Sequence, residues 1–342
     1  MTVTIGGLRL SNPVLLAPMA GITIPPLRRL FARLGAGATH TEMISCAGLL
    51  AGGDGSKGPA TKTERMLSVM EGEAPVVLQL FAGDEETLYR GASLALEVRP
   101  GFPALGINMA CPMPKVLKKG AGSRLLDRPE TAFGMVRRMA GFGMPVWPKI
   151  RKSPPSAPLS TEAFCEGLLN AGAALVTVHG RTPAQRYEGE ADVSLPVTLA
   201  RLFPGRICAS GDIFSVEQAI EYLDGGCSAV MPARGAIADP FLVPRILARL
   251  GCDVVAELLD PSLEMRIEML TGFGDDVSSE ADPRIACLMV KRLLPGMFKG
   301  RPGVGALRRA AATVLSWDDL REMIMESEGF FERREFHSGC AE

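Results

Sequence analysis

Eight short apolar runs, most of them separated by a segment of helical character, constrain what this chain can fold into more than any other feature. They fall at 14–17, 38–42, 76–81, 104–108, 145–150, 175–179, 206–209 and 229–231. Runs of this length bounded by turn residues read as buried strands. The segments 26–34, 84–98, 129–141, 161–171 and 215–223 between them read as helices. Strand and helix alternating over about 240 residues predict a parallel sheet, and eight strands predict its closure into a (β/α)₈ TIM barrel rather than a doubly wound sheet. No glycine-rich dinucleotide fingerprint follows the first run, which removes the main argument for a Rossmann fold. Residues 3–10, with Gly6 and Gly7 in the middle, predict a small hairpin before the barrel.

After residue 250 the strand signal stops. Segments 262–273, 282–294, 304–315 and 317–328 read as helices, so the expected organisation is a barrel over 1–252 and a small all-helical C-terminal domain over 253–342. Net charge is −1, which gives no global attraction to nucleic acid, but the charge is locally segregated. From Arg284 to Ala310 there are seven basic residues (Arg284, Lys291, Arg292, Lys299, Arg301, Arg308, Arg309) and no acidic one.

With 47% hydrophobic and 22% charged residues, the composition is that of a globular protein able to bury a large core. No stretch is apolar for the roughly 18 residues that a membrane span needs. The first ten residues carry no secretory pattern, so the cytoplasm is the expected location. Eight cysteines are scattered without a C-x-x-C pair and without histidines at ligand spacing, which predicts reduced thiols and no metal site.

In a barrel of this kind the active site is built at the C-terminal ends of the strands. Nearly every run here ends in polar or glycine-containing positions: Pro18 to Gly21, Glu42, Gln79, Asn108 with Cys111, Lys149 with Arg151, His179 with Arg181, Ser210 to Asp212, and Arg234 with Gly235.

In order and spacing these pieces resemble the tRNA-dihydrouridine synthase family. The segments that carry the resemblance are 16–21, 41–45, 78–83, 107–122, 149–151, 178–182 and 211–213, covering the whole barrel. The most specific is Asn108-x-x-Cys111-Pro112-x-Pro114-Lys115 with the basic, glycine-rich loop after it. Residues 291–303 are similar to a lysine- and glycine-containing segment of the family's helical domain. The chain departs from the family pattern at Ala110, Ser210, Pro232 and Ala233, where glycine, asparagine and an isoleucine-glycine pair are usual.

The resemblance implies an FMN-dependent oxidoreductase that reduces the C5–C6 double bond of a uridine in tRNA, with NADPH or NADH as hydride donor. Pro18, Met19 and Ala20 would pass beneath the flavin ring, and Gln79 and Lys149 would bond its polar edge. Lys149 suits that place because a cation stabilises the negative charge a reduced flavin develops. His179 would contact the flavin, while Ser210, Gly211, Asp212, Ala233, Arg234 and Gly235 would form its ribityl and phosphate end. Cys111 would be the catalytic general acid, since a thiol of ordinary pKa stays protonated at neutral pH. Asn108 and Arg181 would bond the uracil edge. Lys115, Lys118 and Lys119 would hold RNA phosphates beside the target base, and Lys291, Arg292, Lys299, Arg301, Arg308 and Arg309 would supply the rest of the tRNA surface.

Two other functions compete. A flavin barrel acting on a free pyrimidine or another small enone would have no use for the acid-free basic stretch. A tRNA-binding protein that has lost catalysis would have no need to keep Cys111, Lys149 and His179.

Overall fold

The computed structural model describes residues 2–52 and 62–332. By its internal contacts the chain divides into two compact units, 1–233 and 234–342. The expected boundary at 252/253 lies later, because the short helix Arg234–Ala238 packs on the long helix Pro283–Met297 and so belongs with the helical unit.

Among the described residues the first unit has ten strands: β1 (Val3–Ile5), β2 (Leu8–Leu10), β3 (Thr39–His40), β4 (Ile44–Ser45), β5 (Val76–Phe81), β6 (Leu105–Met109), β7 (Val146–Arg151), β8 (Val176–His179), β9 (Ile207–Ser210) and β10 (Ala229–Val230). Strands β3 and β5 to β10 pair in parallel in the order β10-β9-β8-β7-β6-β5-β3, and β4 pairs β5. The run 38–42 therefore contributes only β3, and β4 follows it on the same neighbour. Closure comes from residues 14–17: Val14 bridges Val230, and Leu15 bridges Ala38. Leu16 N–H donates to the Ala38 carbonyl at 2.9 Å and Ala17 N–H to that of Pro232 at 3.1 Å. Those bonds complete an eight-staved barrel, a closure that leaves no sheet edge open.

Side chains alternate along each stave, and the inward ones at the N-terminal end make an apolar plug: Leu15, Ala38, Val77, Trp147, Leu175, Cys208 and Ala229. The antiparallel hairpin β1–β2 seals this end with Ile5 and Leu10. Trp147 Nε1 donates to the Gly6 carbonyl at 2.8 Å, so the indole contributes apolar area, worth roughly 2–3 kcal/mol when buried, and leaves no donor unpaired. With this end filled, only the C-terminal end of the staves remains for chemistry.

Helices flank the staves where their start signals place them. Asp84 caps the helix Glu85–Val98 by accepting from Thr87 N at 2.8 Å, and Leu88, Ala92 and Ala95 line its buried face. Ser215 and Gln218 form a capping box at the helix Val216–Asp224.

The second unit is helical as expected, with one difference. The first long helix runs Leu263–Glu280, past the expected end at 273. Gly272 and Gly274 suggest a break, but Gly274 serves packing: any side chain there would overlap the indole of Trp317, which is buried in the same unit. Trp317 Nε1 donates to Asp275 at 3.0 Å and fixes the contact.

Candidate active site

At the C-terminal end of the barrel the inward side chains become polar. Gln79 on β5, Asn108 on β6, Lys149 on β7, His179 on β8 and Ser210 on β9 come from five consecutive staves. Register places Asn108 opposite Lys149 and His179 opposite Ser210. Gln79 is fully buried, and neither polar atom of its amide has a hydrogen-bond partner among the described residues. An amide left so costs several kcal/mol in an apolar setting, roughly 2–7, so this one is built to meet another group.

Lys149 is half-buried and its Nζ donates to Ser210 Oγ at 3.3 Å. Ser210 Oγ in turn donates to the Met231 carbonyl at 3.2 Å, so the serine at a position where the family usually has asparagine ties two staves and the lysine together. Burial, with the nearby Arg151 guanidinium adding to it, pulls the Lys149 ammonium down to about 8.

Cys111 sits just past β6 on a loop with little freedom. Asn108 Oδ1 accepts from Ala110 N at 3.2 Å and Cys111 N at 3.0 Å, while Asn108 Nδ2 donates to Met43 Sδ at 2.8 Å. The Cys111 carbonyl accepts from Ser123 N at 3.0 Å. Gly122, at φ +64°, lies so close to that carbonyl that a Cβ would overlap it. Burial pushes the Cys111 thiol above its ordinary value, against smaller opposing effects of the Met113 backbone N–H and the Arg151 guanidinium. The thiol keeps its proton at neutral pH.

Arg151, at the end of β7, supports this loop from behind. It is buried, and its Nε donates to the Ala110 carbonyl at 2.9 Å while one terminal nitrogen donates to the carbonyls of Thr182 and Arg186 at 3.0 and 2.9 Å. Sequence reasoning placed it at a strand end but gave it no role. Glu42, likewise unassigned, accepts from the Gly21 N–H and holds the 18–21 turn against the second stave. Pro18 and Met19 are half-buried and Ala20 is exposed. His40, below the site, donates from Nδ1 to the Leu16 carbonyl at 2.8 Å. Burial is the main cause that lowers it to about 4, so it is neutral.

Arg181 and Asp212, expected at the uracil edge and the phosphate end, face each other instead. The guanidinium forks onto the carboxylate at 2.6 and 2.7 Å, and its remaining bonds go to the carbonyls of Glu188 and Gly189 at 3.2 and 2.5 Å. Asp212, in the left-handed region at φ +49°, also accepts from Ala191 N at 2.8 Å. This pair staples the loop 183–191, a task fixed by bidentate geometry. The remaining expected cofactor positions divide between the units. Gly211 lies against the His179 ring and Ala233 is half-buried in the barrel, whereas Arg234 and Gly235 open the helix Arg234–Ala238 of the second unit.

Lys115, Lys118 and Lys119 are exposed on the loop after Cys111. In the helical unit the basic stretch serves two purposes. Lys291 is drawn onto the carbonyls of Ala312 and Val314 at the end of the helix Val304–Thr313, where a cation meets the negative end of the helix dipole. Lys299 pairs with Asp239 at 3.1 Å, and Arg301 donates to the Pro261 carbonyl at 3.1 Å. Arg292 is exposed and approaches Met289 Sδ at 3.6 Å. Arg308 and Arg309 are exposed on the helix Val304–Thr313. Among the described residues no helix is long and apolar enough to cross a membrane.

Comparison with known proteins accords with this geometry. The family profile of dihydrouridine synthases matches residues 15–266. A probable tRNA-dihydrouridine synthase of Aquifex aeolicus is 30% identical over 329 residues, covering 94% of this chain and 96% of the relative. A probable tRNA-dihydrouridine synthase 1 of Synechocystis is 34% identical over 245 residues, 71% of this chain and 66% of that protein. Tests against solved structures return the barrel. Morphinone reductase in complex with tetrahydroNAD superposes with a TM-score of 0.51 at 16% identity, over 76% of this chain and 92% of that one. A 2-naphthoyl-CoA reductase superposes at 0.54 and 12% identity, over 73% and 52%. The eight-staved barrel with Cys111 at its polar mouth belongs to the dihydrouridine synthase family of oxidoreductases.

Proposed function

We propose that the protein reduces a uridine in tRNA across its C5–C6 bond, in the cytoplasm, with FMN at the barrel mouth and a reduced nicotinamide dinucleotide as donor. The observation that carries the flavin reading is Gln79. A donor and an acceptor lie side by side, both buried and both without a partner among the described residues, at the same end of the barrel as the Lys149 ammonium two staves away. That set is complementary to a heterocyclic edge presenting an acceptor, a donor and developing negative charge. The half-buried Pro18 and Met19 offer an apolar bed for the ring, and Ser210 with Gly211 lies where its chain would run.

When bound, the flavin supplies the hydride for one carbon of the uracil ring. This chain's residues do the rest. Cys111 holds the proton destined for the other carbon. Asn108 fixes the backbone of Cys111 through Oδ1, and the second Nδ2 hydrogen, the one not given to Met43, is what it would offer the base. Arg151 holds the cysteine loop in place through the Ala110 carbonyl. Lys115, Lys118 and Lys119 neutralise phosphates around the target nucleotide, and Arg308 and Arg309 provide further phosphate contacts on the helical unit. The uridine enters by leaving its stack, as any base must whose ring atoms are to be reached.

An absorbance spectrum tests the cofactor assignment. The purified protein shows flavin bands, or acquires them on incubation with FMN, and releases FMN rather than FAD on denaturation. A protein that remains colourless after reconstitution contradicts it.

A further inference from the structure

Beside the catalytic mouth lies a second cleft that the reaction as described does not use. It has a volume of about 650 Å³ and is walled by the loops that follow β7 and β8 and by the starts of the helices Thr161–Asn170 and Ser194–Leu202. Lys152 begins three residues after Lys149, and Thr182 stands three after His179, so the cleft opens at the same end of the barrel as the flavin edge.

Its lining is hydroxylic and acidic. Lys152 Nζ bonds Asp192 Oδ2 at 2.8 Å, and Asp192 Oδ1 accepts from Ser194 Oγ at 2.7 Å and Leu195 N at 3.2 Å. Glu162, half-buried in the wall, forms no hydrogen bond or ion pair among the described residues. Ser153 Oγ is buried in the cleft without a partner among them. One cation against two carboxylates leaves the cleft with a formal charge of −1, so a phosphate is a poor occupant. A neutral group that donates hydrogen bonds is a good one. Adjacent hydroxyls onto one carboxylate, as in the acidic residue that holds a ribose in dinucleotide-binding folds, satisfy that chemistry. An internal RNA nucleotide has a 2′-hydroxyl but its 3′-oxygen is esterified. A free cis-diol belongs to the ribose next to the nicotinamide of either donor.

We infer that this cleft is the subsite for the nicotinamide-ribose diol of the hydride donor, with Glu162 accepting from the diol and Ser153 supplying a further bond. The inference rests on the flavin reading above. It gives the donor a hold outside the space that the uracil must occupy.

The test uses the flavin-loaded protein and a donor mimic that binds without reacting, the tetrahydro form of NADPH. Glu162→Gln and Thr198→Phe, the second filling the cleft from an exposed position, are each expected to raise its Kd about tenfold, the size of a lost charge-assisted hydrogen bond. In parallel, flavin reduction is followed with NADPH and with a 1-benzyl-1,4-dihydronicotinamide, which carries no ribose. The second-order constant for NADPH falls about tenfold in both variants while that for the benzyl donor stays within twofold. Equal losses with both donors, an unchanged Kd for the mimic, or weakened tRNA binding with donor binding intact each overturn the assignment. Protein that is colourless from the start overturns the flavin reading instead, so the two failures are distinguishable.

Discussion

A thiol that gives a proton to carbon must keep that proton until substrate arrives, and the setting of Cys111 does so mainly by burial. Its raised pKa means that the acid form is fully present below the ordinary thiol value and is lost only as pH climbs beyond it. Oxidation of the reduced flavin by tRNA is therefore expected to be flat with pH through neutrality and to decline only in alkali. Cys111→Ala keeps its flavin and its reduction by NADPH, and slows the tRNA half-reaction by roughly 10² to 10⁴, the usual worth of a positioned general acid. Rapid mixing reads the two steps separately; flavin reoxidation by tRNA at the wild-type rate in the variant shows that Cys111 is not the acid. Lys149 behaves in the opposite sense, because burial favours its neutral form. Between about 8 and the ordinary 10.5 the unfolded chain binds more protons at this residue than the folded one, so its contribution makes the flavin-free protein more stable as pH rises through that window. The ammonium that FMN would meet in the proposed complex is lost over the same rise. FMN affinity measured by fluorescence titration is expected to fall as pH passes about 8, and Lys149→Met should be weaker below that pH and show no such step. A step of equal size in Lys149→Met assigns it to another group.

At the level of elements, the strands and the polar residues that end them were legible because apolar runs closed by Gln79, Asn108, Lys149 and His179 repeat with the barrel's βα spacing. What the spacing could not show is which side chains meet across staves. Arg181 and Asp212 stand at two strand ends and each suits a ligand, yet they are 31 residues apart and close on one another. Lys291 belongs to a stretch without acids, but a helix C-terminus 21 residues later takes its charge. Arg151 was passed over because nothing in its local sequence reveals the Ala110 carbonyl it supports. The cysteine loop shows the same dependence on contact. Its shape rests on Gly122, where both a positive φ and the neighbouring Cys111 carbonyl exclude a side chain. Gly122→Ala is expected to destabilise the protein by about 1–3 kcal/mol, the cost of strained backbone or overpacking. It should slow the tRNA half-reaction while flavin reduction by NADPH persists. Thermal unfolding and the two half-reactions check this, and wild-type stability and rate mean the loop tolerates the change.

Over the whole molecule, the proposed function assigns catalysis to the first unit, and the helical unit presents exposed basic side chains at Arg308 and Arg309. Arg308→Glu with Arg309→Glu is expected to weaken tRNA binding and to lower the slope of log affinity against log salt by about 2, one phosphate for each arginine. Filter binding across a salt series measures it, and an unchanged slope moves the RNA surface elsewhere. The central claim, that this barrel reduces uridine in tRNA, is tested most directly by incubating the flavin-loaded protein with NADPH and unmodified tRNA and mapping dihydrouridine in the product. The account predicts dihydrouridine at one or a few defined positions with wild-type protein and little with Cys111→Ala. NADPH-oxidising yellow protein that leaves every uridine intact across a full set of tRNAs, while reducing a free pyrimidine or small enone, contradicts it.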